Sequence, residues 1–304
     1  MRKIKIGKYT VELTHEDKVL FPKEHITKRE LINYYRRIAS VMIPHIENRP
    51  LTMHRFVNGI DQEGFYQKDA ADYFPLWIVR KPLKKKEDGV VRYVICNNAA
   101  TLVYLANQLS ITQHVWLSKI NKLNYPDRMI FDLDPSPGVT FSTVRWVAKK
   151  LKELLEELAF KPFVMTTGSR GVHVVVPLKP VHTFDMVRDF ARDVAYILAR
   201  EYPQKITIEM RKAKRGKCVF LDTLRNAFGQ TGVAPYSVRA KSGAPVATPI
   251  AWDELFKKGG ITPQKYTIKN IFRRLGAQGD VWENIDSSAC TLKQARKKLD
   301  ALLG

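Results

Sequence analysis

The segment Arg128-Met-Ile-Phe-Asp-Leu-Asp-Pro-Ser-Pro-Gly138 carries the strongest fold signal in the chain. Residues 129–134 predict a β-strand in which Asp132 and Asp134 point to one face, about 6.5 Å apart at the usual rise per residue. The prolines that follow end the strand and leave Asp134 at an open edge. Paired carboxylates repel each other unless a cation lies between them, and oxygen ligands suit Mg²⁺ or Mn²⁺. The alternative is a strand end with two solvated acids.

The chain from Met129 to Asp222 predicts an alternation of strands and helices. The predicted strands are 129–134, 163–167, 172–178, 205–210 and 217–222, and the predicted helices are 142–158 and 183–201. This order, β-α-β-β-α-β with one further strand, predicts a split βαβ sheet of the ferredoxin-like and RNA-recognition type. The fold class is therefore mixed α/β (α+β), with further α/β elements towards the N-terminus and helices towards the C-terminus.

The same topology predicts that three carboxylates meet at one edge of the sheet. The third strand runs antiparallel to the first, so the turn 166–173 lies beside Asp134. A hairpin at 211–216 then returns the chain, and Asp222 arrives at the edge that holds Asp132 and Asp134. Three acids from distant segments at one edge favour a metal site over a chance cluster.

The turn of this sheet, Thr166-Thr-Gly-Ser-Arg-Gly-Val-His173, has the composition of an anion site. Its two glycines allow backbone N–H groups to form a nest for phosphate oxygens. Thr167, Ser169, Arg170 and His173 add side-chain donors. The alternative is a plain glycine hairpin.

Two lysines near the N-terminus suggest a second anion site. Thr27 and Glu30 form a capping box that starts a helix, and Lys28 lies in its first turn, where a cation opposes the helix dipole. An anion bound beside Lys18 and Lys28 would remove that conflict. Unrelated surface lysines explain the pattern equally well.

Other segments carry weaker signals. A polar loop at 58–68 presents Phe65 and Tyr66, which either stack on bases or anchor the loop. A charged turn is predicted at 84–89, followed by a helix from 97 to about 111 and then His114, for which a structural role is the more common one. An extended basic segment that includes Arg225 and Arg239 follows Asp222, and a short helix is predicted at 252–258.

Composition limits the function classes. The 304 residues carry a formal net charge of +21, which implies a polyanionic partner, most simply nucleic acid. The three cysteines lack the spacing of a disulfide framework or a zinc site, so a reducing cytoplasm is predicted. No apolar run is long enough for a membrane span, and the N-terminus lacks the apolar core of a signal peptide.

Taken together, these motifs resemble the polymerase domain of the bacterial DNA ligase D, in the archaeo-eukaryotic primase superfamily. The resemblance rests on Asp17-Lys-Val-Leu-Phe-Pro, Ile26-Thr-Lys, Arg49-Pro, Asn107-Gln, Phe131-Asp-Leu-Asp-Pro, Gly168-Ser-Arg-Gly-Val-His and Phe220-Leu-Asp-Thr-Leu-Arg-Asn. It implies one primase-polymerase domain over 1–304, with a DNA-end and nucleotide part at 1–125, the catalytic core at 126–250 and a helical part at 251–304. No ligase or phosphoesterase domain is evident, so a stand-alone protein and an excised domain both stay open.

The resemblance also implies roles for single residues. Asp132, Asp134 and Asp222 would be the catalytic residues that hold two metal ions, Mn²⁺ or Mg²⁺. The residues that would bind the nucleotide are Thr167, Ser169, Arg170, His173, Arg225 and Arg239, with His114, Phe65 and Tyr66 at the sugar and base. Lys18 and Lys28 would bind a DNA 5′-phosphate. The chain departs from the family where Thr167, Arg170 and Tyr66 replace the usual serine, lysine and phenylalanine.

The implied function is a template-directed nucleotidyltransferase of the DNA-directed polymerase or primase type that fills gaps or extends ends in non-homologous end joining. Ribonucleotides are the implied substrates, and gapped DNA with a 5′-phosphate, nucleoside triphosphates, Ku and a separate DNA ligase are the implied partners, at the nucleoid in the cytoplasm. Two alternatives stay open, a primase that starts chains de novo and a catalytically inactive DNA-end-binding adaptor. Binding a polyanion gains nothing from three carboxylates, which argues against the adaptor.

Overall fold

The structure, a computed structural model, describes residues 1–84, 89–257 and 259–304. They form two compact units, each built from separate stretches of chain. The first comprises Met1–Asn121, Val233–Ala247 and Tyr266–Gly279, and the second comprises Lys122–Gly232, Thr248–Lys265 and Asp280–Gly304. Most of the predicted charged turn at 84–89, and the last residue of the predicted helix 252–258, lie outside the described residues.

The elements are numbered in chain order. The strands are β1 (Arg2–Ile6), β2 (Tyr9–Leu13), β3 (Val19–Phe21), β4 (Ile26–Thr27), β5 (Pro50–Arg55), β6 (Phe65–Gln67), β7 (Arg80–Lys84), β8 (Val90–Ile95), β9 (Ser110–Trp116), β10 (Arg128–Pro135), β11 (Phe163–Thr166), β12 (Val172–Pro177), β13 (Ile206–Thr207), β14 (Val219–Asp222), β15 (Thr231–Val233) and β16 (Thr248–Ile250). The helices are α1 (Lys28–Ile46), α2 (Ala99–Asn107), α3 (Phe141–Glu157), α4 (Phe184–Glu201), α5 (Trp252–Phe256), α6 (Ile271–Gln278) and α7 (Leu292–Leu303).

The second unit contains a six-stranded sheet in the order β13-β14-β10-β12-β11-β16. The central strand β10 is antiparallel to both β12 and β14, and α3 and α4 pack against it. Within β10, Met129, Phe131 and Leu133 are fully buried, as the predicted alternation requires. The order β14-β10-β12-β11 is that of a split βαβ sheet, so this prediction is confirmed. The outer strand β16, which pairs with β11, was not predicted.

The route of the chain into β14 differs from the prediction. No hairpin joins β13 to β14, because these two strands are parallel and β13 is only two residues long. The segment between them contains the 3₁₀ turn Lys212–Lys214 and carries the chain back to the start of β14. β14 therefore begins opposite Pro135, where β10 ends, and runs away from that edge. Asp222 reaches Asp132 because the two residues pair across the strands.

In the first unit, the strands β9, β5, β8 and β7 are neighbours in this order, and β6 pairs with β5. The predicted helix 97–111 is too long, because α2 ends at Asn107 and Leu109 adopts a left-handed φ of 63°. The chain reverses there and continues as β9, a strand that the sequence did not reveal. Phe65 and Tyr66 likewise lie on the short strand β6 and not on the predicted loop.

None of the described helices combines the length and hydrophobicity that a membrane span requires.

Candidate catalytic and nucleic-acid-binding site

Three acidic side chains lie together on two neighbouring strands of the second unit. Asp132 on β10 pairs directly with Asp222 on β14, and Asp134 follows two residues later on the same face of β10. All three side chains are largely buried but reach the surface, with exposed fractions of 19%, 13% and 33% in the order Asp132, Asp222 and Asp134. The predicted convergence of these residues is therefore present.

Three arginines surround these carboxylates. Arg170 donates a hydrogen bond of 2.9 Å to Asp134 Oδ1, and Arg215 Nη1 lies 3.8 Å from Asp134 Oδ2. Arg225 Nε lies 3.8 Å from one oxygen each of Asp132 and Asp222. The guanidinium groups supply the positive charge that the clustered acids need for stability.

Burial raises the pKa of Asp222 above its usual value, and the negative charge of Asp132 raises it further. The backbone N–H of Leu224, which donates to Asp222 Oδ1 at 2.8 Å, and the charge of Arg225 act in the opposite direction. A cation placed between Asp132 and Asp222 would favour the ionised carboxylate more strongly than these contacts do.

The donor set fits a hard divalent cation, because its members are carboxylate oxygens on one face. Within residues 1–84, 89–257 and 259–304, however, no three histidine, cysteine, aspartate or glutamate side chains are arranged as a finished metal site. Asp134 is engaged by Arg170 and Arg215, so its carboxylate would have to leave them to join Asp132 and Asp222 around an ion.

The turn between β11 and β12 is held against β10 by a close backbone approach. A Cβ atom on Gly171 would lie only 1.9 Å from the carbonyl oxygen of Leu133, so no other residue fits there. Gly168 has a φ of 63°, which glycine adopts without strain. Inside the turn, Thr167 donates from its hydroxyl to Gly171 O at 3.0 Å and accepts from Ser169 N–H at 3.3 Å. Thr167 and Ser169 thus shape the turn that presents Arg170.

His173 follows this turn on β12 and pairs directly with Asp132. Its ring is almost fully buried, and Nε2 lies 3.6 Å from Asp132 Oδ2. Nδ1 is buried and has no hydrogen-bond partner in the part of the chain that the structure describes. An unpaired buried polar atom is uncommon in proteins. Nδ1 of His173 is therefore able to form a hydrogen bond with a ligand.

Sequence reasoning assigned no role to two residues at this site. Arg215 is held by the backbone carbonyls of Glu209 and Met210, both at 2.9 Å, and its guanidinium lies 3.7 Å from the centre of the Phe220 ring. Its only sequence signal was its place in a run of basic residues.

Asn226 is the second of these residues, and it is completely buried. Its side chain accepts from Ile130 N–H at 2.8 Å and donates to Ile130 O at 2.7 Å. It continues the hydrogen bonding of β10 beyond the end of β14 and fixes the turn that carries Arg225. The sequence showed it only as part of a motif.

The remaining nucleotide-binding residues predicted from the sequence belong to the first unit. Tyr66 stacks on His54 with ring centroids 4.1 Å apart, and the rings of Tyr66 and His114 lie nearly perpendicular with centroids 5.6 Å apart. Burial and the nearby positive charge of Arg239 lower the pKa of His54 to about 4. His54, which was not predicted, is therefore uncharged at neutral pH and lies close to Tyr66, His114 and Arg239. Phe65 is adjacent on β6 and half-exposed.

Lys28 is the first residue of α1, and the predicted capping box of Thr27 and Glu30 is present. Lys28 is buried, and its ammonium donates to Thr14 O at 2.5 Å. The pKa of Lys28 is lowered to about 8, mainly by burial and also by the charge of Lys18. The two lysines therefore lie close enough to repel each other.

The residues 27–282 match the family model of the LigD primase-polymerase domain. The chain belongs to this family. The LigD-type chain is 35% identical over 283 residues to the multifunctional non-homologous end joining protein LigD of Mycolicibacterium smegmatis. The aligned residues make up 92% of this chain and 36% of the relative. It is 30% identical to the bifunctional non-homologous end joining protein LigD of Bacillus subtilis over 95% of the chain and 47% of that protein. The chain thus spans less than half the length of these curated relatives.

A solved structure supports the LigD assignment at the level of the fold. The polymerase domain of Mycobacterium tuberculosis ligase D in complex with DNA matches with a TM-score of 0.85 and 32% sequence identity. The match covers 92% of this chain and 99% of that domain. The fold of a LigD primase-polymerase domain, predicted from the sequence, is confirmed.

Proposed function

We propose that the chain is a template-directed nucleotidyltransferase that fills gaps or extends DNA ends during non-homologous end joining. The observation that carries the proposal is the pairing of Asp132 with both Asp222 and His173, beside the turn that presents Arg170. Acids that can hold cations and basic groups that can hold phosphates therefore share one edge of a sheet. The names of the relatives, which refer to end joining and to a polymerase domain bound to DNA, support the same function.

Asp132, Asp134 and Asp222 would hold two divalent ions, Mn²⁺ or Mg²⁺. Bound there, the ions would supply a Lewis acid for the attacking hydroxyl and for the phosphate oxygens on which charge develops. The protein's own part is to keep the carboxylates ionised and to orient them through the β10–β14 register. Arg225, now 3.8 Å from Asp132 and Asp222, would turn to the triphosphate once the acids are neutralised.

Arg170 and His173 would bind the triphosphate oxygens and stabilise the negative charge of the leaving group. Arg170 is half-exposed and contacts Asp134 through a single nitrogen, so its other N–H groups can reach a ligand. We assign Arg239, His114, Phe65 and Tyr66 to the nucleotide's phosphate, sugar and base. A contact from His114 to a 2′-hydroxyl group would favour ribonucleotides.

Gapped DNA with a 5′-phosphate, nucleoside triphosphates, a Ku-type end-binding protein and a separate ligase complete the proposal, and such a substrate would keep the protein at the nucleoid. The test is nucleotide addition to a labelled primer opposite a gap, with Mn²⁺ or Mg²⁺ and either ribo- or deoxyribonucleotides. Extension that depends on both template and primer supports the proposal. Products formed without a primer would indicate a primase, and binding without extension would indicate an adaptor.

Replacement of His173 by alanine is expected to weaken binding of a nucleoside triphosphate in the presence of metal by about 10- to 150-fold. A charge-assisted hydrogen bond contributes about 1.5–3 kcal/mol, which gives this range. Calorimetric titration measures the effect. Affinity for DNA alone should not change, and an equal loss for DNA would assign His173 to a DNA contact instead.

Preference for a 5′-phosphate over a 5′-hydroxyl in gapped DNA is expected to fall as the pH rises from about 7 to about 9.5. Lys28 has a lowered pKa of about 8, so its charge is lost over this window while the terminal phosphate keeps its own charge. Binding titrations with the two DNAs at constant salt measure the preference. The double variant Lys18→Ala, Lys28→Ala should lose the preference for the 5′-phosphate at every pH. A preference that survives in this variant would contradict the proposal that the two lysines bind the 5′-phosphate.

A further inference from the structure

The hydroxyl of Thr52, in the middle of β5, is buried without a hydrogen-bond partner. Thr52 is 3% exposed, and its Oγ1 atom forms no hydrogen bond with the described residues. A hydroxyl buried in this way costs free energy, because it gives up its hydrogen bonds to water and gains none in the protein. Valine has nearly the same shape and the same preference for strands, so the folding of β5 does not account for this hydroxyl.

Thr52 shares one face of the sheet with His114, the residue assigned to the nucleotide sugar. The neighbours of Thr52 in β5, Leu51 and Met53, point to the opposite face and are fully buried in the hydrophobic core of the first unit. Across the strands, Thr52 pairs directly with His114 on β9. Directly paired residues have their Cβ atoms about 4.5–5.5 Å apart on the same face. The Thr52 hydroxyl is therefore within reach of the His114 imidazole.

A second threonine on this face provides a comparison. Thr112 lies two residues before His114 on β9 and is also buried, at 1% exposed. Its hydroxyl, however, donates to Val238 O at 2.7 Å and thereby ties β9 to another segment of the first unit. The hydroxyl of Thr112 thus contributes to the fold, whereas the hydroxyl of Thr52 makes no such contact among the described residues.

The side chain of His114 is suited to an orienting partner. His114 is partly exposed, so a ligand can reach its ring from the surface while Thr52 lies beneath it. An imidazole has two ring nitrogens, and the hydrogen bond made by one nitrogen fixes how the other meets a ligand. A hydroxyl can donate or accept, so Thr52 suits either ring nitrogen.

We propose that the Thr52 hydroxyl pairs with the His114 imidazole when the nucleotide sugar is bound, and that Thr52 is a positioning residue for the choice of ribose over deoxyribose. The inference rests on the proposed function for the contact between His114 and the sugar, but it requires neither DNA nor catalysis. Deoxyribose lacks the 2′-hydroxyl that His114 would contact, so Thr52 contributes to the binding of ribonucleotides alone.

The test measures the affinities for ATP and dATP by calorimetric titration with Mn²⁺ and without DNA. Thr52→Val is expected to weaken ATP binding by about 2- to 12-fold, the effect of one neutral hydrogen bond, and to leave dATP binding unchanged. Thr52→Ser, which keeps the hydroxyl, should retain most of the preference for ATP. Because the hydroxyl has no partner in the free protein, Thr52→Val should also keep or raise the midpoint of urea unfolding.

The matched control is Thr101→Val. Thr101 lies on α2, is completely buried, and its Oγ1 atom likewise forms no hydrogen bond with the described residues. This substitution should affect the unfolding midpoint as Thr52→Val does, but it should leave the affinities for both nucleotides unchanged.

A double variant tests whether Thr52 acts through His114. His114→Ala is itself expected to reduce the preference for ATP, and adding Thr52→Val to it should reduce that preference no further. A further loss in the double variant would assign Thr52 to a direct contact with the sugar and overturn its role as a positioning residue.

Unchanged ATP affinity in Thr52→Val would overturn the proposal, as would an equal loss of dATP affinity, an equal loss in Thr101→Val or a lower unfolding midpoint in Thr52→Val. Equal affinity of the wild type for ATP and dATP would refute the assignment of His114 to the sugar, and this inference with it. A preference for ATP that depends on Thr52, in a protein that adds no nucleotide to a primer, would refute the proposed catalysis and leave this inference standing.

Discussion

Replacement of Asp132 by asparagine is expected to lower the rate of nucleotide addition by about 10³-fold or more. Asp132 faces both Asp222 and His173, so the substitution removes the charge at the centre of the site. Loss of about 4 kcal/mol of metal-assisted stabilisation gives this factor. Single-turnover primer extension at saturating nucleotide, with Mn²⁺ and with Mg²⁺, measures the rate.

The same substitution should not unfold the protein. Asp132 raises the pKa of Asp222, so its removal relieves a like-charge repulsion and should keep or increase the free energy of unfolding without metal. Asp189→Asn is the matched control, because Asp189 is on α4 with its carboxylate 3.2 Å from Arg192. A wild-type rate of nucleotide addition in Asp132→Asn would refute the assignment of Asp132 to the metal site. If Asp132→Asn is slow because it does not fold, the same measurement on Asp222→Asn tests the metal site instead.

Replacement of Gly171 by alanine is expected to reduce the free energy of unfolding by about 3 kcal/mol or more. The added Cβ would lie 1.9 Å from the carbonyl oxygen of Leu133, and backbone atoms at the centre of a sheet cannot move aside easily. Urea denaturation, with the midpoint and slope determined together, measures the change.

The control for Gly171→Ala is Gly276→Ala. Gly276 lies within α6, and a Cβ there would meet nothing within 4 Å, so alanine should be neutral or stabilising by about 0.5–1 kcal/mol. Since the turn carries Arg170, any folded Gly171→Ala protein should also bind nucleoside triphosphates more weakly. Unchanged stability in Gly171→Ala would mean that the turn does not need its close approach to β10.

The position of the acids could be predicted because it depends on local rules. The two-residue period of a strand puts Asp132 and Asp134 on one face, and the antiparallel third strand brings the glycine turn beside them. Asp222 was placed correctly, but through a hairpin that does not exist. The two residues of β13 give too short a pattern to show whether it runs parallel or antiparallel to β14.

The remaining misses depend on tertiary contacts that no local pattern records. The sequence placed Lys28 in the first turn of α1, but it gave no sign that the side chain is buried with its ammonium donating to Thr14 O. Arg215 acquires its place near Asp134 only through the carbonyl groups and the Phe220 ring that fix its side chain. The end of α2 was missed because Leu109, an ordinary helix former, takes a left-handed conformation.

The outermost strands of the six-stranded sheet have a consequence for self-association. An unpaired strand edge is a template on which a second chain can add by backbone hydrogen bonds, and this is a common start of aggregation. Here β13 has two residues and β16 has three, and the middle residue of β16 is Pro249, which has no N–H to donate. The edges of the sheet therefore offer a neighbouring molecule very few backbone groups to pair with, although the central strands are hydrophobic.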